Sequence, residues 1–230
     1  MKAEILDRLV RDRREKRAVV LATTLPTGEE QLIYPHQPPA EGEPPNLHEA
    51  AAGAADRDQC LTLDAGGGAS VFLQPFNPPL RLVLVGAVHI AQPLSRMAAL
   101  ADFEVVVVDP RSAFSTEARF PGVTRVIAWP DRALLELGLD HRTAVVTLTH
   151  DPKLDDPALV VALRSPAFYV GCLGSGKTHA SRVARLRELG FAEAELSRLL
   201  GPVGLRIGAR SPAEIAVSIL AQVVEHLRRT

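Results

Sequence analysis

The chain has few aromatic residues, few cysteines and almost no net charge, and each shortage excludes a class of protein. Aromatic residues make up 4% of the 230 residues while hydrophobic residues reach 47%, so the core must consist mainly of Ala, Val and Leu. Cys60 and Cys172 are too far apart in sequence for a C-x-x-C metal site and too few for a disulfide framework. With 26 basic and 27 acidic residues, the chain has no overall field that would attract nucleic acid.

Long apolar segments are also missing. No apolar run approaches the roughly 18 residues of a membrane span, and the N-terminus lacks the apolar centre of a secretory signal. The basic residues between 8 and 17 alternate with acidic ones, which is typical of a solvated helix face. We therefore expect a cytoplasmic protein with no membrane span and no nucleic-acid partner.

The prolines at Asn77-Pro78-Pro79 predict a boundary between a small N-terminal α+β domain, residues 1–79, and a second domain, residues 80–230. From residue 80 onward, short apolar strands alternate with helical segments. This pattern predicts a Rossmann-like, doubly wound parallel sheet with ligands beyond the C-terminal strand ends. The predicted strands are 82–85, 104–108, 123–128, 143–148 and 168–170, and the predicted helices are 90–101, 155–164, 176–189, 193–200 and 212–228.

The first of these strands ends in Gly86-Ala87-Val88-His89-Ile90-Ala91, which partly matches the dinucleotide fingerprint G-x-G-x-x-G/A. Val88 occupies the middle glycine position, where the backbone should approach a pyrophosphate. Asp109 ends the next strand about 20 residues further on, where a ribose-binding carboxylate belongs. NAD(P) binding and a strand–turn–helix that merely packs tightly are equally compatible with this pattern.

A second glycine turn, Gly171 to Thr178, matches the phosphate-binding pattern G-x-x-x-x-G-K-[ST] at every fixed position. A nucleotide hydrolase also needs an acidic residue at the end of a separate strand to hold Mg²⁺. No apolar run ending in Asp follows Thr178, and P-loop proteins usually open their fold with this motif. The turn is therefore predicted to bind an anion at a helix N-terminus without hydrolysing a nucleotide.

Two further segments lie near the predicted ligand edge. In the loop after residue 148, His150, Asp151 and Asp155 are candidate metal ligands, and His150 could instead carry a proton. The other interpretation is that Asp155 or Asp156 caps the next helix, and we favour this for Asp155. Cys172 lies beside a helix N-terminus, which favours a thiolate, but such a cysteine is more often a packing residue. The glycine-spaced loop 201–210 precedes a predicted capping box, Ser211-Pro212-Ala213-Glu214.

Residues 80–230 closely resemble the Rossmann-like domain of the XdhC/CoxI family, accessory factors of molybdenum hydroxylases such as xanthine dehydrogenase. The matching segments are 84–87, 107–111, 149–153, 169–171, 173–175 and 201–216. The family usually has a basic residue where this chain has Gly176, so the resemblance implies that the P-loop match arose by chance. Fuller members also have a G-S-x-P-R segment and a glycine-rich stretch with cysteine. Residues 1–79 lack the former, and their glycine turn at 64–68 contains no cysteine.

The resemblance implies a maturation factor, not an enzyme, that binds the molybdenum cofactor, protects it during sulfuration by a cysteine desulfurase and delivers it to the hydroxylase apo-enzyme. No catalytic residue is assigned, the metal ligands are not identified, and a homodimer is one option for the oligomeric state. The alternative function is an NAD(P)-dependent oxidoreductase that uses the 86–91 turn. The third candidate is a P-loop nucleotide-binding protein. The candidate cofactor-binding residues are Gly86, Ala87, His89, Asp109, His150, Asp151, Gly171, Gly174, Ser175, Lys177, Thr178, Gly204, Gly208 and Ala209.

Overall fold

The structure is a computed structural model that describes residues 2–66 and 69–228. The chain divides into two units between Pro78 and Pro79. Residues 67 and 68 of the predicted glycine turn lie outside the described residues. That the first unit corresponds to the family's N-terminal domain stays a prediction.

The N-terminal unit contains a four-stranded antiparallel sheet in the order β2-β1-β4-β3. Helix α2 has no counterpart among the predicted elements. It begins at Pro45, where a missing N–H costs nothing, and it buries Leu47, Ala51, Ala54 and Ala55 at helical spacing. The elements are α1 (Ala3–Arg14), β1 (Val19–Thr24), β2 (Glu29–Ile33), α2 (Pro45–Arg57), β3 (Leu61–Gly66) and β4 (Ala69–Phe76).

The C-terminal unit contains a six-stranded parallel sheet in the order β10-β9-β8-β5-β6-β7. Because β5 lies between β6 and β8, the chain runs outward in both directions from the middle strand. This is the strand order of a Rossmann fold, and it confirms the predicted fold class. The elements are β5 (Leu80–Val85), α3 (Ala91–Leu100), β6 (Phe103–Val108), β7 (Thr124–Val126), α4 (Pro130–Leu137), β8 (Thr143–Thr147), α5 (Pro152–Arg164), β9 (Tyr169–Cys172), α6 (Gly176–Glu188), α7 (Glu193–Leu196), β10 (Leu199–Leu200) and α8 (Pro212–Arg228).

Both faces of the parallel sheet are covered, which explains why its central strands β5, β6 and β8 are mostly apolar. Along β5, Leu82 and Leu84 point to a cluster formed with α3 and α8. The alternate residues Val83 and Val85 point to a second cluster formed with α4, α5 and α6. The side chains above the C-terminal strand ends are therefore positioned by a core that is packed on two sides.

Two local predictions for this unit are wrong. Residues 193–200 were expected to be one helix, but the helix ends at Leu196, and Leu199–Leu200 pairs in parallel with β9 as β10. Burial of Leu199 at the sheet edge outweighs helix propensity there. Asp155 does not cap α5. The helix begins at Pro152, and the Asp151 carboxylate accepts the N–H of Lys153 as its N-cap.

The capping box at the last helix is confirmed. The N–H of Glu214 donates to Ser211 Oγ at 3.2 Å, and the N–H of Ser211 donates to the Glu214 carboxylate at 2.9 Å. Within the described residues, no helix is both long enough and apolar enough to cross a bilayer.

Candidate functional site

The turns after β5, β6, β8 and β9 lie at one edge of the sheet, because carboxyl ends of parallel strands share an edge. Ligands of doubly wound folds bind outside this edge. The candidate residues fall into three groups of contacts here. The first surrounds Gly86 and Asp109, the second surrounds His150 and the β9–α6 turn, and the third is the 201–209 loop.

Gly86 is a glycine because its backbone and its neighbour both require one. Its φ of +108° is a backbone conformation that residues with a side chain rarely adopt, and an added Cβ would lie 2.4 Å from Thr149 Cγ2. The residue therefore allows the β5 turn to pack against the loop after β8. This packing accounts for the glycine without a dinucleotide.

Asp109 is fully buried, and four hydrogen bonds use both of its carboxylate oxygens. Oδ2 accepts from the N–H of Ala87 and from Arg111 Nη2, both at 2.8 Å. Oδ1 accepts from the N–H and Nε of Arg111, both at 2.9 Å. Burial alone would raise the pKa of Asp109, but these hydrogen bonds outweigh it and lower the pKa below its ordinary value. The carboxylate thus fixes the β5 turn and has no oxygen left for a ribose hydroxyl.

Arg111 reaches solvent beyond this buried carboxylate. Its side chain is 42% exposed, and its guanidinium lies 4.6 Å from the centre of the Phe114 ring. The hydrogen bonds to Asp109 raise the pKa of Arg111, and the negative charge of Asp151, from the loop after β8, raises it further. The first group of contacts is therefore linked electrostatically to the second.

The loop after β8 is organised by Asp155, a fully buried carboxylate in the first turns of α5. Oδ1 accepts the Thr149 hydroxyl at 2.6 Å, and Oδ2 accepts the N–H of His150 at 3.2 Å. His150 itself is exposed and has a φ of +65°. Burial raises the pKa of Asp155, while the Thr149 hydrogen bond and the charge of Arg182 oppose the rise. Asp155 therefore positions His150 through its backbone.

The β9–α6 turn departs from the geometry of a P-loop. Gly171 and Cys172 belong to strand β9, so only residues 173–175 separate the strand from helix α6. The Ser175 hydroxyl caps this helix by accepting the N–H of Thr178 at 3.1 Å. A three-residue turn leaves no long loop of backbone N–H groups to surround a β-phosphate. The helix N-terminus itself remains available to an anion.

Arg182 is the charged side chain beneath this turn, and it is 2% exposed. Its Nη2 donates to Asp155 Oδ2 and to the carbonyl of Leu173, both at 3.2 Å. Among the described residues, its Nε and Nη1 have no hydrogen-bond partner. Because buried polar groups are normally satisfied, these two donors mark an incomplete set of contacts.

A small pocket of about 250 Å³ opens between the start of α5 and the first turns of α6. It lies next to Arg182 and to the exposed side chain of Lys177, for which no carboxylate partner is found in the described part of the chain. We call it the basic pocket. Its lining residues are His150, Pro152, Lys177, Thr178, Ser181, Arg182 and Arg185.

A larger cavity of about 660 Å³ is formed by the 201–209 loop, with Leu173 and helix α8 completing its wall. Gly204 has a φ of +101°, and an added Cβ would lie 2.4 Å from Ser218 Oγ. Its N–H donates to Gln222 Oε1 at 2.8 Å. Gly204 therefore holds the loop against α8, while Gly208 and Ala209 line the cavity. We call it the loop cavity.

Cys172 is not placed for thiolate chemistry. It is fully buried, with Sγ 3.6 Å from the Leu200 carbonyl oxygen and 3.7 Å from His179 Nδ1. Burial raises the pKa of its thiol to about 11, although the charge of Arg182 acts in the opposite direction. Burial also lowers the pKa of His179. Of the two interpretations of this cysteine, the geometry favours the packing residue.

The structure thus brings together His150, Lys177 and Thr178 around the basic pocket, and Gly208 and Ala209 around the loop cavity. His89 is exposed before α3 and belongs to neither. Gly171 has a packing role, since an added Cβ would lie 2.6 Å from Val203 Cγ2. Among the described residues, no cluster of three or more His, Cys, Asp or Glu side chains could hold a metal ion.

Arg182 is not among the predicted site residues, and the interpretation favoured for Asp155 is a helix cap. Arg182 and Leu186 are four positions apart on α6, and both are buried. A charged residue on the apolar face of a predicted helix was therefore the available signal.

Comparison with known proteins agrees with the fold and identifies relatives. The profile of the family described as XdhC Rossmann domain matches residues 82–223. The crystal structure of a xanthine dehydrogenase from Bacillus halodurans is similar over 98% of this chain and 67% of its own, with a TM-score of 0.75 and 26% identity.

Curated relatives match over about 150 to 160 residues. A protein of Bacillus subtilis named as a probable xanthine dehydrogenase subunit is 35% identical over 161 residues, which are 70% of this chain and 47% of that protein. "Molybdenum cofactor insertion chaperone PaoD" of Escherichia coli is 32% identical over 148 residues, 64% of this chain and 40% of that protein. "Uncharacterized protein YqeB" of Escherichia coli is 36% identical over 163 residues, 70% and 30% respectively. The matched region is thus less than half of each curated relative.

Proposed function

This chain belongs to the XdhC Rossmann-domain family, and on that premise we propose that it is an accessory factor of molybdenum hydroxylases. In this role it binds the molybdenum cofactor and assists its sulfuration and its insertion into a xanthine dehydrogenase-type apo-enzyme. The proposal draws on the resemblance to PaoD, whose name describes a molybdenum cofactor insertion chaperone.

The observation that carries the proposal is the presence of two recesses, the loop cavity and the basic pocket, whose linings meet at the β9–α6 turn. The loop cavity, about 660 Å³, lies within the range of pockets that hold small molecules. Leu173 lines this cavity, and its carbonyl accepts a hydrogen bond from Arg182, which lines the basic pocket. A ligand with a ring system at one end and an anion at the other matches this combination, and molybdopterin has both.

The residues present fit such a group in their chemistry. Gly208, Ala209 and Ile215 provide backbone and apolar surface for a ring, and Lys177 with the α6 N-terminus provides positive charge for a phosphate. When bound, the molybdenum centre supplies the redox chemistry that the client hydroxylase uses. The residues of this chain hold the ligand and cover its faces from water.

Sulfuration requires a sulfur donor, and the buried Cys172 is poorly placed to be one. Its thiol is inaccessible, and its raised pKa leaves little thiolate at neutral pH. We therefore assign sulfur delivery to a separate partner, a cysteine desulfurase. This chain would act as a maturation factor that binds and transfers the cofactor without catalysing a reaction.

The NAD(P) alternative loses its main support at the β5 turn. The N–H of Ala87 is donated to Asp109, and the Asp109 carboxylate is fully occupied by Ala87 and Arg111. Neither group is free for a dinucleotide. No observation at this turn favours the alternative over cofactor delivery.

Expression in a host that synthesises molybdenum cofactor tests the proposal. We expect pterin and molybdenum to co-purify with the chain, and the loaded chain to activate a xanthine dehydrogenase-type apo-enzyme better than free cofactor does. Ala209→Trp would fill the loop cavity and reduce pterin retention. Leu100→Trp, at a position that is 88% exposed at the end of α3, is the matched control. A chain that never retains or protects pterin would refute the proposal.

A further inference from the structure

We propose that the basic pocket is a binding site for a phosphate monoester, with Arg182 as the buried residue that completes it. The inference rests on the proposed function, since it names the part of the cofactor that this pocket would take. It also changes the expected location. The phosphate would lie on the α5 side of the β9–α6 turn, against a residue outside the glycine pattern.

The first argument is the unfinished hydrogen bonding of Arg182. The residue is only 2% exposed, yet of its guanidinium nitrogens only Nη2 donates, to Asp155 and to Leu173. Its Nε and Nη1 are without partners in the described parts of the chain. A buried guanidinium with unused donors loses the hydrogen bonds that water would give it. Both atoms are enclosed, so an oxyanion in the basic pocket, which Arg182 also lines, would supply the missing acceptors once the guanidinium turns toward it.

The second argument is the position of Arg182 beneath the first turn of α6. Gly174 has no side chain, and the position that its Cβ would take lies 3.7 Å from Arg182 Nη1 and 3.1 Å from Thr178 Cβ. Gly174 therefore lets the turn pack closely against Thr178 and Arg182, so the arginine lies directly beneath the first turn of α6. The same first turn presents N–H groups and the positive end of the helix dipole.

The third argument is the charge around the pocket. Asp155 compensates Arg182, and Asp156 compensates Arg185 through a bidentate contact with its Nε and Nη2. Lys177 has no such carboxylate among the described residues, so the site retains a positive charge in addition to the helix dipole. A monoester has three unsubstituted oxygen atoms and two negative charges, so it can accept more charge-assisted hydrogen bonds here than a diester, which has two such oxygen atoms and one charge.

The size of the pocket limits what it accepts. Its volume of about 250 Å³ lies below the range of pockets that enclose a whole drug-sized ligand. The pocket therefore suits a terminal phosphate group and not a complete nucleotide. The remainder of the ligand would extend outside it.

The experiment measures phosphate binding by the full chain without cofactor. Inorganic phosphate, methyl phosphate and dimethyl phosphate are each titrated by calorimetry. We expect the monoester and inorganic phosphate to bind and to compete, and the diester to bind at least about tenfold more weakly, as the loss of one charge-assisted contact would cause. Binding of inorganic phosphate without the monoester would refute a monoester site, and the absence of binding by either would refute the anion site.

Variants locate the binding. Arg182→Gln and Lys177→Ala each remove charge-assisted hydrogen bonds, so each should weaken phosphate binding about 10- to 100-fold. Lys153→Ala removes an exposed lysine of α5 that does not line the pocket, and it should leave binding unchanged. If Arg182→Gln does not fold, Lys177→Ala and Thr178→Val still decide the question. Unchanged binding in both of these folded variants would contradict the proposal.

The two proposals can fail separately. A chain that binds methyl phosphate but never retains pterin would support the anion site and refute cofactor handling. A chain that retains pterin equally well in the wild type and in Lys177→Ala, and that binds no methyl phosphate, would refute the anion site alone.

Discussion

Two arginine–carboxylate pairs lie at the same edge of the sheet, and they differ in how completely their hydrogen bonds are satisfied. In the first pair, Asp109 is fully buried while Arg111 is 42% exposed, and four donors surround the carboxylate. In the second pair, Asp155 and Arg182 are both buried, and Arg182 keeps two nitrogen atoms without partners among the described residues.

This difference separates a structural contact from a candidate binding contact. Asp109 joins the β5 turn to the end of β6, and its four hydrogen bonds are complete without a ligand. Arg182 is held by Asp155 and by the carbonyl of Leu173, but two of its nitrogen atoms have no partner among the described residues, and the residue lines the basic pocket. A buried, incompletely satisfied arginine is costly to maintain, and ligand binding offers a reason to keep it.

The largest expected effect is on the free energy of unfolding, when Asp155 and Asp109 are each replaced by alanine. Asp155→Ala should lower the free energy of unfolding by about 3–5 kcal/mol, because it leaves Arg182 charged and enclosed. Asp109→Ala should cost about 1–3 kcal/mol, because the half-exposed Arg111 side chain can turn into water and only the backbone N–H groups of Ala87 and Arg111 lose their acceptor. Urea unfolding of both variants measures the two values.

A surface pair provides the control for this measurement. Asp156→Ala breaks the contact with Arg185, whose side chain is 38% exposed, and should cost no more than about 1 kcal/mol. If Asp155→Ala were no more destabilising than Asp109→Ala, the distinction between the two pairs would be lost.

The sequence predicted the architecture of this edge well, because that architecture depends on local patterns. Alternating apolar strands and helical segments predicted the doubly wound sheet, and the Ser211–Glu214 spacing predicted the start of α8. The glycine turns at 86 and 174 were correctly expected at strand ends. Their backbone conformations and close contacts explain why glycine is present.

The sequence could not predict which side chains meet across the edge. Asp155 was expected to cap its own helix, since an acidic residue before a proline is a common cap. Its partners Thr149 and Arg182 come from two other segments, and only the folded sheet brings them together. The P-loop match failed for a similar reason, because pairing of β9 with β8 takes up Gly171 and Cys172.

A smaller effect should appear in the pH dependence of stability. The pKa of Asp109 is lowered in the folded state from its ordinary value of 3.8. Its contribution is therefore fully present above that value and is lost as the pH falls through the folded-state pKa. The difference in unfolding free energy between wild type and Asp109→Asn should shrink as the pH is lowered from about 6 toward 3. A constant difference would show that the charge of Asp109 is not what stabilises the turn.

The smallest perturbation tests whether the region around Arg182 stays closed without a ligand. Cys172 is fully buried, and its pKa of about 11 leaves on the order of 0.1% thiolate at pH 8. Cys60 is exposed. A thiol reagent should therefore modify Cys60 quickly and Cys172 only when the protein opens, so a Cys60→Ser variant should react about as slowly as it unfolds.

Both thiols should react at once in concentrated urea. Rapid reaction of Cys172 in the folded Cys60→Ser variant would mean that the β9–α6 turn opens readily, and the unpaired donors of Arg182 would then be satisfied by water in place of an anion.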